Sequence, residues 1–295
     1  MNNFKDEERS SSLAAAAGRK MRGFYRNLST GVALALLVAG SAFAQSVPAQ
    51  QQSTNHTASS ASLNTTGMIF GTATPLGKGS ARSWVKLGKD GKPTAIGLTF
   101  TEAALVGLPQ TLPAGQEGVE YVLALPPEAA ATPFNHIGID WNPQGHPPGH
   151  IYDTPHFDFH FYMISPQERN QITARGADRE KARRQPPLEY VPDGYMYAPD
   201  SEIPRMGGHW ADPQSNEFRG QPFTRSFLYG NYDGQIVFME PMISKAFLDA
   251  KTSVTEIIKQ PRRYATPGYY PTKYSILYDP ATKQYTVALE GLTLR

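Results

Sequence analysis

The sequence has no cysteine, which removes disulfide stapling and every thiolate metal site at once. Stability must come from a hydrophobic core, from association, or from a metal held by nitrogen and oxygen ligands. Net charge is also lacking. Of 28 Lys and Arg and 26 Asp and Glu, six basic and three acidic residues fall within 1–44, which leaves 22 against 23 beyond it. A near-neutral chain carries no electrostatic footprint for a nucleic-acid partner. The GxSxG, P-loop, GxGxxG and HExxH signatures are missing, so the common hydrolase, nucleotide-binding and zincin classes have no support.

No apolar run reaches the roughly 20 residues needed to cross a bilayer. The longest, GVALALLVAG (31–40), follows Arg19, Lys20, Arg22 and Arg26 and precedes SAFAQ, with Ala42 and Ala44 in an AxA arrangement. This pattern predicts a signal peptide over 1–44, cleaved after Ala44, with no stable membrane insertion afterwards and a periplasmic or secreted destination. Asp6, Glu7 and Glu8 lengthen the region ahead of the apolar run, and translation from Met21 rather than Met1 is an alternative. The stretch 45–66 is polar and low in complexity and predicts a disordered linker. Residues 67–295 then form a single globular domain.

The remaining chain is rich in short apolar runs. SWVKLGKDGKPTAIGLTF (83–100) predicts two strands joined at Asp90–Gly91, and KYSILYD with QYTVALE predicts a terminal hairpin. VEYVLALPP, NHIGIDW and QIVFMEP read as further strands, the last ending at Pro241. TEAALVGLP predicts a short helix with Thr101 as N-cap and Pro109 as its stop; ISKAFLDAK predicts another. QERNQITARGADREKARRQPP predicts one or two exposed helical turns, and the Pro, Gly and Tyr-rich stretch 186–225 predicts long ordered loops. The fold class is mainly β (α+β), an antiparallel sheet or barrel with short peripheral helices.

Five of the seven histidines lie between His136 and His160. In HFDFHFYM (156–163) the alternation puts Phe157, Phe159, Phe161 and Met163 on one face of a strand and His156, Asp158, His160 and Tyr162 on the other. At about 3.3 Å per residue, positions four apart are separated by roughly 13 Å, too far for His156 and His160 to share one ion, whereas positions two apart are near 7 Å. Asp158 therefore pairs with one neighbour. The reading assigns it to His160 and leaves His156 behind the site or on a second group. His209, which follows two glycines in MGGHW, and Glu240, a carboxylate on an apolar strand, complete a candidate ligand set. Imidazole with carboxylate suits a divalent Zn, Mn, Fe or Cu ion.

A metal-free reading stands beside it, in which Asp158 orients an imidazole and Tyr162 completes a hydrogen-bonded network. His146 and His150 in GHPPGH read as turn chemistry, and His136 as a packed strand histidine. The basic run 174–184, interrupted by Asp178 and Glu180, reads as a solvated helix face. The tyrosines of DGYMY and PGYYPTKY suit sugar binding by stacking, core-sealing loops or a subunit interface.

WNPQGHPPGHIYDTPHFDFHFYMIS (141–165), with MGGHW and FMEPMIS (238–244), resembles a bacterial family of secreted proteins assigned to a domain of unknown function. The family takes its name from a thermophile protein controlled by an extracytoplasmic-stress sigma factor. The resemblance extends over about 67–295 and implies an exported homo-oligomer with a stress link, and no reaction. Three functions follow: an exported divalent-metal-binding protein; a metalloenzyme with Glu240 or His156 as general base; or a metal-free oligomeric structural protein.

Overall fold

Asp90 and Gly91 turn the chain as their residue types predict. Gly91 takes the left-handed conformation at φ 74°, the Gly88 N–H donates to the Lys92 carbonyl at 2.8 Å, and Asp90 Oδ1 accepts the Lys92 N–H at 3.2 Å. The computed structural model describes residues 65–113, 116 and 118–295. The expected signal peptide, and all but the last two residues of the expected linker 45–66, lie outside the described residues.

In chain order the first elements are β1 (Met68–Phe70), β2 (Thr74–Leu76), β3 (Gly79–Leu87), β4 (Pro93–Thr101), β5 (Val119–Ala124), β6 (His136–Asn142) and β7 (His156–Tyr162). Two short helices follow, α1 (Pro166–Gln171) and α2 (Asp178–Arg183), then β8 (Met196–Tyr197), β9 (Gly208–Ala211), β10 (Arg225–Tyr232) and β11 (Gln235–Ser244). After α3 (Lys245–Asp249) come β12 (Val254–Ile257), β13 (Tyr269–Tyr270), β14 (Lys273–Asp279), β15 (Gln284–Glu290) and β16 (Thr293–Leu294). One seven-stranded sheet runs β1-β3-β4-β15-β14-β12, with β2 also on β3; a second runs β5-β6-β7-β11-β10-β9-β8; β13 and β16 pair separately. All pairings are antiparallel, and neither seven-stranded sheet closes into a barrel.

The two large sheets meet through aromatic rings. Phe157, Phe159 and Phe161 of β7 have no exposed surface. Phe100 of β4 stacks on Phe159 at 5.9 Å and on Tyr285 of β15 at 5.1 Å. Trp141 of β6 packs on Phe157 at 4.7 Å. This inner face is the core, so the His156, Asp158, His160 and Tyr162 face points outward, away from the first sheet. It is nevertheless buried. The loop 143–155 and the stretch 206–223 cover it, with Tyr152, Phe223, Leu228 and Met242 forming one apolar cluster there.

Several expectations need correction. TEAALVGLP forms only a 3-10 turn, Glu102–Leu105. Gly107 turns left-handed at φ 75°, and the Thr101 hydroxyl accepts the Ser80 N–H instead of capping. The strand expected to end at Pro241 runs on to Ser244. Proline has no N–H to give, and the paired positions between β11 and β7 skip 240 and 241 before resuming at Met242. The stretch 186–225 contains β8 and β9 as well as loops. Gly207 permits this, since a Cβ there would lie 2.1 Å from the Asn231 carbonyl oxygen. Tyr195, Tyr197 and Tyr270 pack on the chain's own core. Arg179 and Arg183 pair with Asp200 and Glu202, as a solvated helix face requires.

Phe159→Ala removes a ring from between the sheets and should cost about 3–5 kcal/mol, read by urea unfolding. A cost below about 1 kcal/mol would show that this face is not the core.

Candidate metal centre

The register of the second sheet assembles the site. Asp140 of β6 lies directly opposite Asp158 of β7, and Gly138 opposite His160. On the other side Met242 of β11 lies opposite Asp158 and Met239 opposite Phe161, which sets Glu240 across from His160. His209 of β9 lies opposite Gly230 of β10, two strands further out. Like charges directly opposite one another destabilise a sheet, and here Asp140 and Asp158 are both buried, as is Glu240. Gly138 leaves room beside the Tyr162 ring: a Cβ would sit 3.1 Å from its Cε2.

The histidines share a pattern of attachment. Nδ1 of His146 lies 2.8 Å from the Pro147 carbonyl oxygen, Nδ1 of His156 2.7 Å from that of Thr154, and Nδ1 of His209 2.8 Å from that of Ser201. A carbonyl oxygen only accepts, so each Nδ1 carries the proton and, in the neutral ring, each Nε2 keeps its lone pair. His160 Nδ1 lies 3.0 Å from Asp140 Oδ2. The Nε2 atoms face carboxylates: His146 at 3.3 Å and His156 at 3.2 Å from Asp158, His160 at 3.4 Å from Glu240. Two donors each about 2.0–2.1 Å from a tetrahedral ion are about 3.3 Å apart, so the spacing suits a shared cation.

Six residues offer ligand atoms in two sets of three, each set within 4.8 Å: His146, His156 and Asp158; and His160, His209 and Glu240. His160, His209 and Glu240 thus come together. Asp158 does not pair with His160. Its oxygens turn to His156 and His146, and Asn142 Nδ2 donates to Oδ2 at 2.7 Å, while His160 is taken by Asp140 and Glu240 on the flanking strands. His156 is accordingly a member of a second set.

His146 and Asp140 were missed. His146 makes a turn contact, its N–H donating to the Tyr152 carbonyl at 3.1 Å, and also reaches Asp158. A loop joining neighbouring antiparallel strands must return to the start of the second one, and that start is His156. Asp140 shares the strand parity of His136 and was open to the same argument. His150, with a side chain 98% exposed, stays outside the site. His136 stacks on Tyr162 at 4.8 Å, a packed histidine.

Electrostatics follow from burial and neighbours. Burial opposes charge on His146, but the hydrogen bond and charge of Asp158 outweigh it and lift the ring to about 9. Burial likewise opposes charge on His160, and Glu240 and Asp140 outweigh it, again to about 9. Burial raises Glu240 to about 8, with Asp158 and Asp140 adding to the rise and His160 opposing it. Burial would raise Asp158, yet the His156 and His146 rings hold it well below the usual carboxylate range. His209 and His136 are depressed to about 4, chiefly by burial.

Residues 88–141 match the model of a family described as TTHB210-like, Hypothetical protein TTHB210. The match covers less than half of the chain and supports a family of uncharacterised domains. It reaches Asp140 but stops short of both ligand sets, and is shorter than the resemblance drawn over 67–295. No curated protein and no solved structure matches the chain.

For the metal-free protein, stability should peak near neutral pH. His146 and His160, raised to about 9, contribute stability fully below an unfolded value of 6.5, and this is lost as pH rises through 9. Glu240, raised to about 8, holds a proton that the unfolded chain releases near 4.5, and so acts in the same direction. His136 and His209, depressed to about 4, contribute above 6.5 and lose that contribution as pH falls toward 4. Calorimetry of chelator-treated protein should show Tm falling on both sides of pH 6.5. A Tm that climbs steadily from pH 6.5 to 9 contradicts this arrangement.

Proposed function

We propose that the chain is an exported protein that binds a divalent transition metal between His160 Nε2, His209 Nε2 and Glu240. One observation carries the reading. His209 Nδ1–H is committed to the Ser201 carbonyl and His160 Nδ1 lies 3.0 Å from Asp140 Oδ2, so the opposite nitrogens of both rings are left to meet a buried carboxylate. Metal-ligating histidines are held in this way, with the second nitrogen tied to a carboxylate or carbonyl oxygen. Two imidazoles and one carboxylate suit Zn, Mn, Fe or Cu.

Export rests on the AxA-terminated apolar segment, and a stress-related role rests on the family resemblance. A homo-oligomer is proposed on that resemblance alone, because the tyrosine-rich loops pack inward. An enzymatic reading has less support. Glu240 and His156 both lie within ligand sets, so neither stands free as a general base.

Untagged protein should carry metal, measured by mass spectrometry, and Zn(II) should raise its Tm. At a free ion concentration of 100 times Kd the gain is about 2.7 kcal/mol. The His160→Ala, His209→Ala double variant should lose this site's ion and the Tm gain that comes from it. Asp140→Asn, which leaves the ligands but weakens the grip on His160 Nδ1, should lower affinity about 10- to 100-fold. Metal far below one equivalent in wild type and variant alike, with no Zn(II) effect on Tm, would return the cluster to a hydrogen-bonded network.

A further inference from the structure

The second set has its own complete argument. Asp158 uses one oxygen for each ring, Oδ1 at 3.2 Å from His156 Nε2 and Oδ2 at 3.3 Å from His146 Nε2. Both rings have Nδ1 against a backbone carbonyl, of Thr154 and Pro147, so both Nε2 atoms converge on that carboxylate, His146 within hydrogen-bond geometry of Oδ2 and His156 facing Oδ1 with its lone pair. His156 Nε2 and Asp158 Oδ1 are fully buried and have no hydrogen-bond partner among the described residues. Facing lone pairs at this separation repel unless a proton or a cation lies between them, and the separation matches the edge of a tetrahedral zinc site.

The six residues divide into two sets with no member in common, the ligand atoms of each lying within 4.8 Å of one another, so each set is an ion site of its own. Side-chain direction makes the division: both Asp158 oxygens turn to His156 and His146, with Asn142 Nδ2 donating to Oδ2, while the His160 ring stands between Asp140 and Glu240.

We propose that His146, His156 and Asp158 bind a second divalent transition-metal ion, beside the one held by His160, His209 and Glu240. The inference rests on the preceding reading for the first ion only, because its ligands are separate residues. Two imidazoles with one carboxylate again select Zn, Mn, Fe or Cu over Mg or Ca, whose sites are built from oxygen. His146 arrives on the loop 143–155 rather than on a strand, its side chain 22% exposed, so this ligand can be removed without disturbing the sheet.

The test uses untagged full-length protein stripped with chelator and titrated with Co(II), followed by its visible absorption, with Zn(II) content measured in parallel. Wild type should saturate at two equivalents per chain. His146→Ala and His209→Ala should each saturate at one, with different residual spectra, and circular dichroism should confirm that both variants are folded. One equivalent in wild type, unchanged in His146→Ala and lost in His209→Ala, overturns the second site and leaves the first. One equivalent lost in either variant means a single ion spanning both sets and overturns the division. Binding by neither wild type nor variants removes both sites. The wild-type stoichiometry decides the question even where a variant fails to fold.

Discussion

Three carboxylates on a sheet face that water does not reach require positive charge beside them. Taking an ion out of water costs several kcal/mol even after relaxation, and Asp140, Asp158 and Glu240 are all nearly inaccessible. Among the described residues Arg169 is the buried Lys or Arg at this face, and its guanidinium is committed to Glu120. The imidazoles of His146, His156, His160 and His209 are what remains. They balance the carboxylates either by taking up protons or by joining them around a metal. This constraint shapes the rest of the second sheet. With its other face filled by Phe157, Phe159 and Phe161, the sheet is buried on both sides, and covering the polar side takes the loop 143–155 and the stretch 206–223.

The division of the polar residues into two sets follows from strand geometry and not from composition. Direct cross-strand neighbours in an antiparallel sheet lie about 4.5–5.5 Å apart, and Glu240 stands across from His160 in this way, while Asp140, opposite Asp158, reaches diagonally to His160 Nδ1. Asp158 is free to turn toward the end of β7 where the loop returns His146, and Asn142 fixes it there.

The strand periodicity made β3, β4, β5, β6, β7, β14 and β15 legible, because each alternates or is bounded by turn residues with a mechanism, such as Asp90–Gly91. It also placed His156, Asp158 and His160 on one face. β10 went unassigned, and β8 and β9 were absorbed into an expected loop, since two to four residues are too few to show a period. The central proline at 241 gave the wrong end to β11, because its missing donor interrupts one ladder while the strand continues. His209 and Glu240 were readable as chemically costly residues. His146 was not, because a histidine among prolines and glycines satisfies local turn rules whether or not it reaches back to the strand.

Proton-only and metal-bearing accounts of the cluster differ in what they ask of the ring nitrogens. A network held by protons places each N–H along the line to its acceptor, as charge-assisted bonds are the strong ones. Here His160 lies within 3.4 Å of both its carboxylates, yet neither ring nitrogen is aligned to donate, and His156 Nε2 is likewise unaligned with Asp158 Oδ1. The aligned contacts run from Nδ1 of His146, His156 and His209 to carbonyls that can accept only, and, facing the centre, between His146 Nε2 and Asp158 Oδ2. His156 and His160, whose Nε2 atoms stand 3.2 and 3.4 Å from Asp158 and Glu240 without an aligned hydrogen bond, are set at the edge length of a metal tetrahedron and arranged for a cation in front. That geometry, present once in each ligand set, favours the metal-bearing account over the hydrogen-bonded one.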